Sequence, residues 1–264
     1  MMKPVLHFAH ANGIPSACYR KLLNRLAEDF QVVSIPVIGV HPDYPVDNHW
    51  QSLVKQVTDS IVRQSNDQPV IVVGHSLGAM TSYMAAHANP SMVKALIMLD
   101  PPLLNGMKAY MLHVAKWLGK DENMTPAGKS KNRREVWASR DEAAASLRPK
   151  ALFKPFDAEC FADYIQYGLS DCAEGVRLTI PAATEVAIFR NTPTNTWRYW
   201  RKLKVPAAVI VGKDSHFAKT GCPERLARQQ PVKLIYTDGG HMFPLERPEE
   251  TVALIRQTLK ELGV

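Results

Sequence analysis

Apolar positions along the first hundred residues fall into two alternating rhythms. Short apolar runs predict strands over 5–9, 31–36, 70–73 and 93–99. Between them, apolar residues return every three or four positions. Tyr19, Leu22, Leu23, Leu26 and Phe30 form one such stripe, and Trp50, Leu53, Val54, Val57 and Ile61 form another. A third helix is predicted over 79–88. Strands that alternate with helices imply parallel pairing, crossover connections and a sheet covered on both faces.

The rhythm breaks after Asp100-Pro101-Pro102. From 103 to 203 the pattern predicts helices and no core strand. Ser139-Arg140-Asp141-Glu142 has the form of a capping box ahead of an alanine-rich run. Asp157 is placed to cap a helix ending near Gly168, and Pro181 to open another. Strand signals return at 207–211 and 232–236, and a helix over 251–262 closes the chain. The expectation is an α/β core built from 1–102 and 204–264. A helical cap insertion over 103–203 would cover the C-terminal edge of its mostly parallel sheet.

Composition narrows the class. The 264 residues are 46% hydrophobic and 22% charged, which is ordinary for a globular protein. No apolar run approaches the ~20 residues that span a bilayer. The opening Met-Met-Lys-Pro-Val-Leu-His-Phe has neither a long apolar core nor a small-residue cleavage site. Together with four scattered cysteines and no Cys-x-x-Cys pair, this predicts a cytoplasmic protein with reduced thiols. The net charge of +7 is dispersed except in the basic run 129–134, which reads as a solvated loop. No nucleic-acid signature is present. The expected partner is a small-molecule substrate, with no nucleic acid and no membrane. A homodimer is compatible with the sequence.

The chemistry concentrates where the strand over 70–73 runs into Gly74-His75-Ser76-Leu77-Gly78. Strand, tight turn and helix in that order make a nucleophile elbow, with Ser76 as the candidate nucleophile. The glycines remove Cβ atoms where the chain doubles back. The Leu77 N–H, opening the helix, is a candidate oxyanion donor. A serine hydroxyl needs a base, and the base needs an orienting acid. His241 follows the last strand on a Gly-Gly turn and is the candidate base. Two aspartates compete for the acid: Asp100, which ends its strand, and Asp214, just after the strand over 207–211. The second oxyanion donor is expected in the loop His10-Ala11-Asn12-Gly13, from a backbone N–H near Asn12 or from the Asn12 side chain. His75 is read as supporting structure. No His-Glu-x-x-His pattern, paired metal spacing or glycine-rich phosphate loop is present, so neither metal nor cofactor is expected.

Phe8-x-His10-Ala11-Asn12-Gly13, Gly74-His75-Ser76-Leu77-Gly78, Leu99-Asp100-Pro101-Pro102 and Gly239-Gly240-His241-x-x-Pro244-Leu245-Glu246-Arg247-Pro248 together resemble the α/β-hydrolase superfamily. Within it, the chain is similar to single-domain serine hydrolases with a helical cap. The likeness covers most securely 4–100 and 205–264. It implies the chain order serine, acid, histidine. It also implies an acid in the loop holding Asp214, although the usual spacing lands on Ser215. The chain departs from the family in two respects. It begins at what would be the third strand, so the first antiparallel strands are expected to be absent. Its oxyanion loop reads His-Ala-Asn-Gly where His-Gly is commoner.

The expected function is hydrolysis of carboxylic esters or thioesters of small, largely apolar acyl groups through an acyl-enzyme. The alternatives are a C–C bond hydrolase or cofactor-free perhydrolase on the same residues, and a small-ligand receptor of this fold with little turnover. Met107, Met111, Trp117, Phe153, Phe156 and Phe161 are candidates for an acyl pocket or for the core of the cap.

Overall fold

The computed structural model describes residues 3–65, 68–104, 106–117, 127–199 and 202–264. Its strands are β1 Val5–Ala9, β2 Gln31–Ser34, β3 Val70–His75 and β4 Val93–Leu99, then β5 Val136–Trp137, β6 Leu169–Cys172 and β7 Gly175–Leu178, and finally β8 Ala207–Gly212 and β9 Val232–Thr237. The helices of the first part are α1 Arg20–Leu26, α2 Gln51–Gln64 and α3 Leu77–Ala88. Those of the middle are α4 Gly106–Trp117, α5 Ala127–Ser130, α6 Arg140–Leu147, α7 Ala158–Tyr167 and α8 Ala182–Arg190. The last part carries α9 Cys222–Gln229, α10 Phe243–Glu246 and α11 Pro248–Glu261.

Six strands form one sheet in the order β2-β1-β3-β4-β8-β9, and every pairing is parallel. Alternate side chains feed two cores, as the pleat requires. Ile71, Val73, Ile97 and Leu99 join Leu22, Leu26, Ile255 and Leu259 on the face covered by α1 and α11. Val70, Val72, Leu96 and Met98 join Leu53, Val57, Tyr83 and Leu226 under α2, α3 and α9. The chain moves outward from β1 to β2, then returns past β1 to β3. The sheet therefore changes direction between β1 and β3, and the loops leaving their C-terminal ends diverge. Such a crevice is where ligands bind in open α/β sheets.

Among the described residues, 103–203 contributes no strand to this sheet. It does contain a three-stranded antiparallel sheet, β5-β7-β6, which the helical expectation lacked. These strands are short, and Leu-Ser-Asp-Cys at 169–172 has no apolar alternation to reveal it. The available signal was the Ala173-Glu174 turn before Gly175, which opens β7 at φ +123°. Ser139 and Asp157 cap their helices as predicted, but the Glu142 carboxylate accepts from the Ala138 N–H and not from that of Ser139, so the box is half formed. The Ser139 side chain accepts from the Glu142 N–H, and Asp157 accepts from the Glu159 and Cys160 N–H groups. The basic run is not uniformly solvated. Arg133 is largely buried and donates to Glu185 at 2.5 Å and to the Tyr164 hydroxyl at 3.2 Å.

Buried histidines make stability depend on pH, two of them at β1. His7 lies in β1 and His10 just beyond it, both fully buried. Burial lowers each from the ordinary 6.5 to about 4. His10 is held neutral by geometry as well: Nε2 accepts from the Ile38 N–H at 2.8 Å, while Nδ1 donates to the Ala11 carbonyl at 2.7 Å. Between pH 6.5 and 4 the unfolded chain binds more protons than the folded one. This contribution to stability is complete above 6.5 and is lost as pH falls through the window. Urea midpoints should drop between pH 7 and pH 5; a midpoint that stays constant there would contradict the assignment.

Candidate active site

β3 and α3 are almost entirely apolar, and from Val70 to Ala86 every residue is buried except Ser76. The chain reverses at this serine with φ +52° and ψ −113°, a conformation that costs on the order of 1–3 kcal/mol for a residue with a Cβ. Two glycines make the reversal sterically feasible. A Cβ on Gly74 would lie 2.4 Å from the Gly78 carbonyl oxygen, and one on Gly78 would lie 2.1 Å from that of Ala9. The Gly78 N–H donates to the His10 carbonyl at 3.0 Å, which pins the start of α3 against the loop after β1. Gly78→Ala should therefore cost at least ~1–3 kcal/mol by overpacking. A thermal melt unchanged from the parent chain would refute that.

His241 reaches Ser76 from the loop after β9. Its Nε2 lies 3.0 Å from Ser76 Oγ, and its Nδ1 lies 2.6 Å from Asp100 Oδ2. With Nδ1–H donating to the carboxylate, Nε2 is left to accept the serine proton. Asp100 ends β4 with φ +43° and is fully buried. A buried carboxylate requires donors. Asp100 has three: His241 Nδ1, Ser215 Oγ at 2.5 Å to the same Oδ2, and the Gly212 N–H at 3.0 Å to Oδ1. The structure thus brings Ser76, His241 and Asp100 together. Asp214 lies elsewhere, exposed on an outer groove with Lys213, Asp238, Glu246 and Arg247, and does not meet the imidazole. The reason is local. The chain turns at Gly212, so Ser215 faces inward where an acid would be expected, and its hydroxyl serves Asp100.

Leu77 follows Ser76 at the first position of α3, where a helix leaves its N–H groups without partners inside the helix. In the loop after β1, the Ala11 N–H points to the Tyr19 hydroxyl at 3.4 Å, and the Ile14 N–H to the Ala11 carbonyl. The Asn12 side chain turns to the insertion and donates to the Glu185 carbonyl at 3.2 Å. Of the two expected sources near Asn12, the side chain thus has one of its two N–H donors engaged by the insertion. Glu185 also lies against Gly13, so α8 sits over this loop. On the other side, the Asp157 N–H donates to the Leu245 carbonyl beyond His241. The insertion therefore touches loops from the C-terminal ends of both β1 and β9. Phe153 and Phe156 pack with Phe161 and Tyr164 and continue the core that lies under α1 and α11, whereas Met107, Met111 and Trp117 are exposed.

His75 was the residue whose connections the sequence did not reveal. It is fully buried, with Nδ1 2.7 Å from the Tyr19 hydroxyl and Nε2 2.9 Å from the His241 carbonyl oxygen. A histidine closing an apolar strand was the available sign that polar partners must come from elsewhere in the chain. Among the described residues, no group of three or more His, Cys, Asp or Glu is placed to hold a metal ion, and no helix is long and apolar enough to cross a membrane.

A parallel sheet with a strained serine after β3, facing a histidine after β9, defines a class of folds with hydrolytic members. The chain belongs to the alpha/beta hydrolase family, whose model matches residues 8–254. It is 28% identical over 206 residues to lipase LipV of Mycobacterium tuberculosis, covering 76% of this chain and 72% of that one. Family and relative together make the chain a hydrolase. Among solved structures, it resembles a thioesterase domain from the curacin biosynthetic pathway (TM-score 0.76, 19% identity, 97% and 91% of the two chains covered). It also resembles E-2-(acetamidomethylene)succinate hydrolase (TM-score 0.76, 19% identity, 98% and 92% covered). At such identities these two likenesses speak to the fold alone.

Proposed function

We propose that the chain is a serine hydrolase that cleaves carboxylic esters or thioesters of small, largely apolar acyl groups. The observation that carries this reading is the unbroken hydrogen-bonded line from Ser76 Oγ through His241 to buried Asp100. Ser76 Oγ attacks the acyl carbon as its proton passes to His241 Nε2. The carbonyl electrons move onto oxygen, which the N–H groups of Leu77 and Asn12 receive. Collapse breaks the bond to the alcohol or thiol, which leaves with the proton from His241. Water then attacks the acyl-serine, giving its proton to the same nitrogen, and Ser76 is regenerated. Asp100 fixes the imidazole tautomer and stabilises its transient positive charge.

Residues 103–203 act as a cap over the 1–102 and 204–264 core and restrict water and acyl shape. Acyl transfer accords with a relative that is a lipase and a neighbour that is a thioesterase. The reading retains a small-molecule substrate, a cytoplasmic setting and no cofactor, as expected from the sequence.

The test combines labelling by a fluorophosphonate with turnover of short p-nitrophenyl esters and the matching acyl thioesters. Multiple turnovers with an acylated Ser76 support the reading. Absence of labelling overturns it. Labelling followed by a single turnover points instead to the receptor alternative.

A further inference from the structure

The base is carried on a soft segment. Asp238-Gly239-Gly240-His241 leaves β9 with Gly239 at φ +108°, and glycines hold backbone geometry poorly by themselves. Hydrogen bonds fix the segment instead. The Gly239 carbonyl accepts from the Asp214 N–H, and the Gly240 N–H donates to Glu246 Oε2 at 2.8 Å. The carbonyl of His241 itself is held by His75 Nε2.

The direction of each bond follows from elementary valence. A carbonyl oxygen only accepts, so His75 Nε2 carries a hydrogen. A neutral imidazole then has a lone pair on Nδ1, so the Tyr19 hydroxyl donates to it. The Tyr19 oxygen is in turn the acceptor for the Ala11 N–H. A single chain of bonds therefore runs from the loop after β1, through Tyr19 and His75, to the backbone of His241. Burial holds His75 well below its usual range, so Nδ1 stays free to accept.

His75 is also the chain neighbour of Ser76, which closes a ring. Starting at Ser76, the path crosses to His75, over its Nε2 to the His241 carbonyl, out along the His241 side chain and back to Ser76 Oγ. The bonds at Gly239 and Gly240 hold the loop after β9 to its own neighbours, and the ring ties it directly to the turn after β3. A purely space-filling role would need only the ring contacts, His75 to His241 at 5.2 Å and to Tyr19 at 5.8 Å between centroids.

We infer that His75, with its tautomer set by Tyr19, is a positioning residue that holds the His241 base in register with Ser76. This rests on the serine hydrolase reading given above. It predicts that what matters at position 75 is a donor at the place of Nε2.

The amide of glutamine reaches about as far as Nε2, whereas that of asparagine reaches only as far as Nδ1. The experiment compares His75→Phe, His75→Gln, His75→Asn and Tyr19→Phe by kcat and KM on one p-nitrophenyl ester, with melting curves alongside. Expected is a fall in kcat of ~10–100-fold for His75→Phe, with KM within about twofold, because misplacement of a base acts on the chemical step. His75→Gln should recover kcat to within about threefold of the parent, and His75→Asn should not. Tyr19→Phe should lower kcat by a smaller factor, ~3–10-fold, as the tautomer is released.

A folded His75→Phe with kcat within twofold of the parent would overturn the inference. So would equal losses for Gln and Asn, the pair that decides the matter if the phenylalanine variant fails to fold. If the parent chain itself is not labelled at Ser76, the hydrolase reading fails; if it is labelled and these variants behave alike, only the positioning role fails.

Discussion

Replacing Ser76 by alanine is expected to abolish labelling by a fluorophosphonate and to lower ester turnover by about 10⁴-fold or more. Ser76 Oγ is the only atom of its residue that the imidazole of His241 can serve, at 3.0 Å. Alanine removes it while leaving the turn, the buried walls of β3 and α3 and the Leu77 N–H in place. The fold should not suffer. The strained backbone at φ +52° is imposed by its surroundings, and alanine carries the same Cβ into it. A melting temperature near that of the parent, combined with lost labelling, separates chemistry from unfolding. Labelling retained in this variant would place the nucleophile elsewhere and end the proposed mechanism.

The second large effect is expected at Asp100. Asp100→Asn should lower turnover by ~10²–10⁴-fold, because the carboxylate no longer dictates which imidazole nitrogen carries the hydrogen. An amide placed there must direct its NH₂ group toward donors. Whichever oxygen it replaces, it faces either the Gly212 N–H or the pair formed by Ser215 Oγ and His241 Nδ1. With the NH₂ group at the Oδ2 position the imidazole accepts at Nδ1 and carries its hydrogen on Nε2, where it no longer accepts from Ser76; with the NH₂ group at Oδ1 it meets the Gly212 N–H unpaired. Asp214→Asn should remain within about twofold of the parent, since that carboxylate is exposed and the imidazole's partners are Asp100 and Ser76. Near-full activity in both variants would require a different third member. A large loss at Asp214 alone would reverse the assignment.

Much of this arrangement was readable in the chain, for identifiable reasons. β4 is predicted over its full length, and β1 likewise, because buried parallel strands are nearly continuous apolar runs, broken here only by His7 in β1 and Lys94 in β4. Ser76 and His241 announce themselves through glycines, whose conformational freedom is needed only where the backbone is forced. The acid was not decidable, because Asp100 and Asp214 both follow strands that end on the same edge. Only the course of the turn at Gly212 determines that Ser215 enters the site and Asp214 leaves it. β5, β6 and β7 escaped because short strands on a small sheet need few apolar residues. The link from Tyr19 to His75 joins positions 56 residues apart, and no local periodicity encodes a contact between two buried polar groups.

The pairing of β4 with β8 encloses the whole stretch 103–203 as a single excursion of the chain. The entropy of closing such an excursion grows only logarithmically with its length, by roughly 0.6 kcal/mol for each doubling. Lengthening or shortening the stretch in its loops therefore changes this closure term very little, so long as Phe153, Phe156 and Tyr164 keep their place in the core they share with the sheet. In evolutionary terms the length of this stretch is only weakly tied to the scaffold: it can gain or lose loop residues while the strands that bring Ser76, His241 and Asp100 together keep their register.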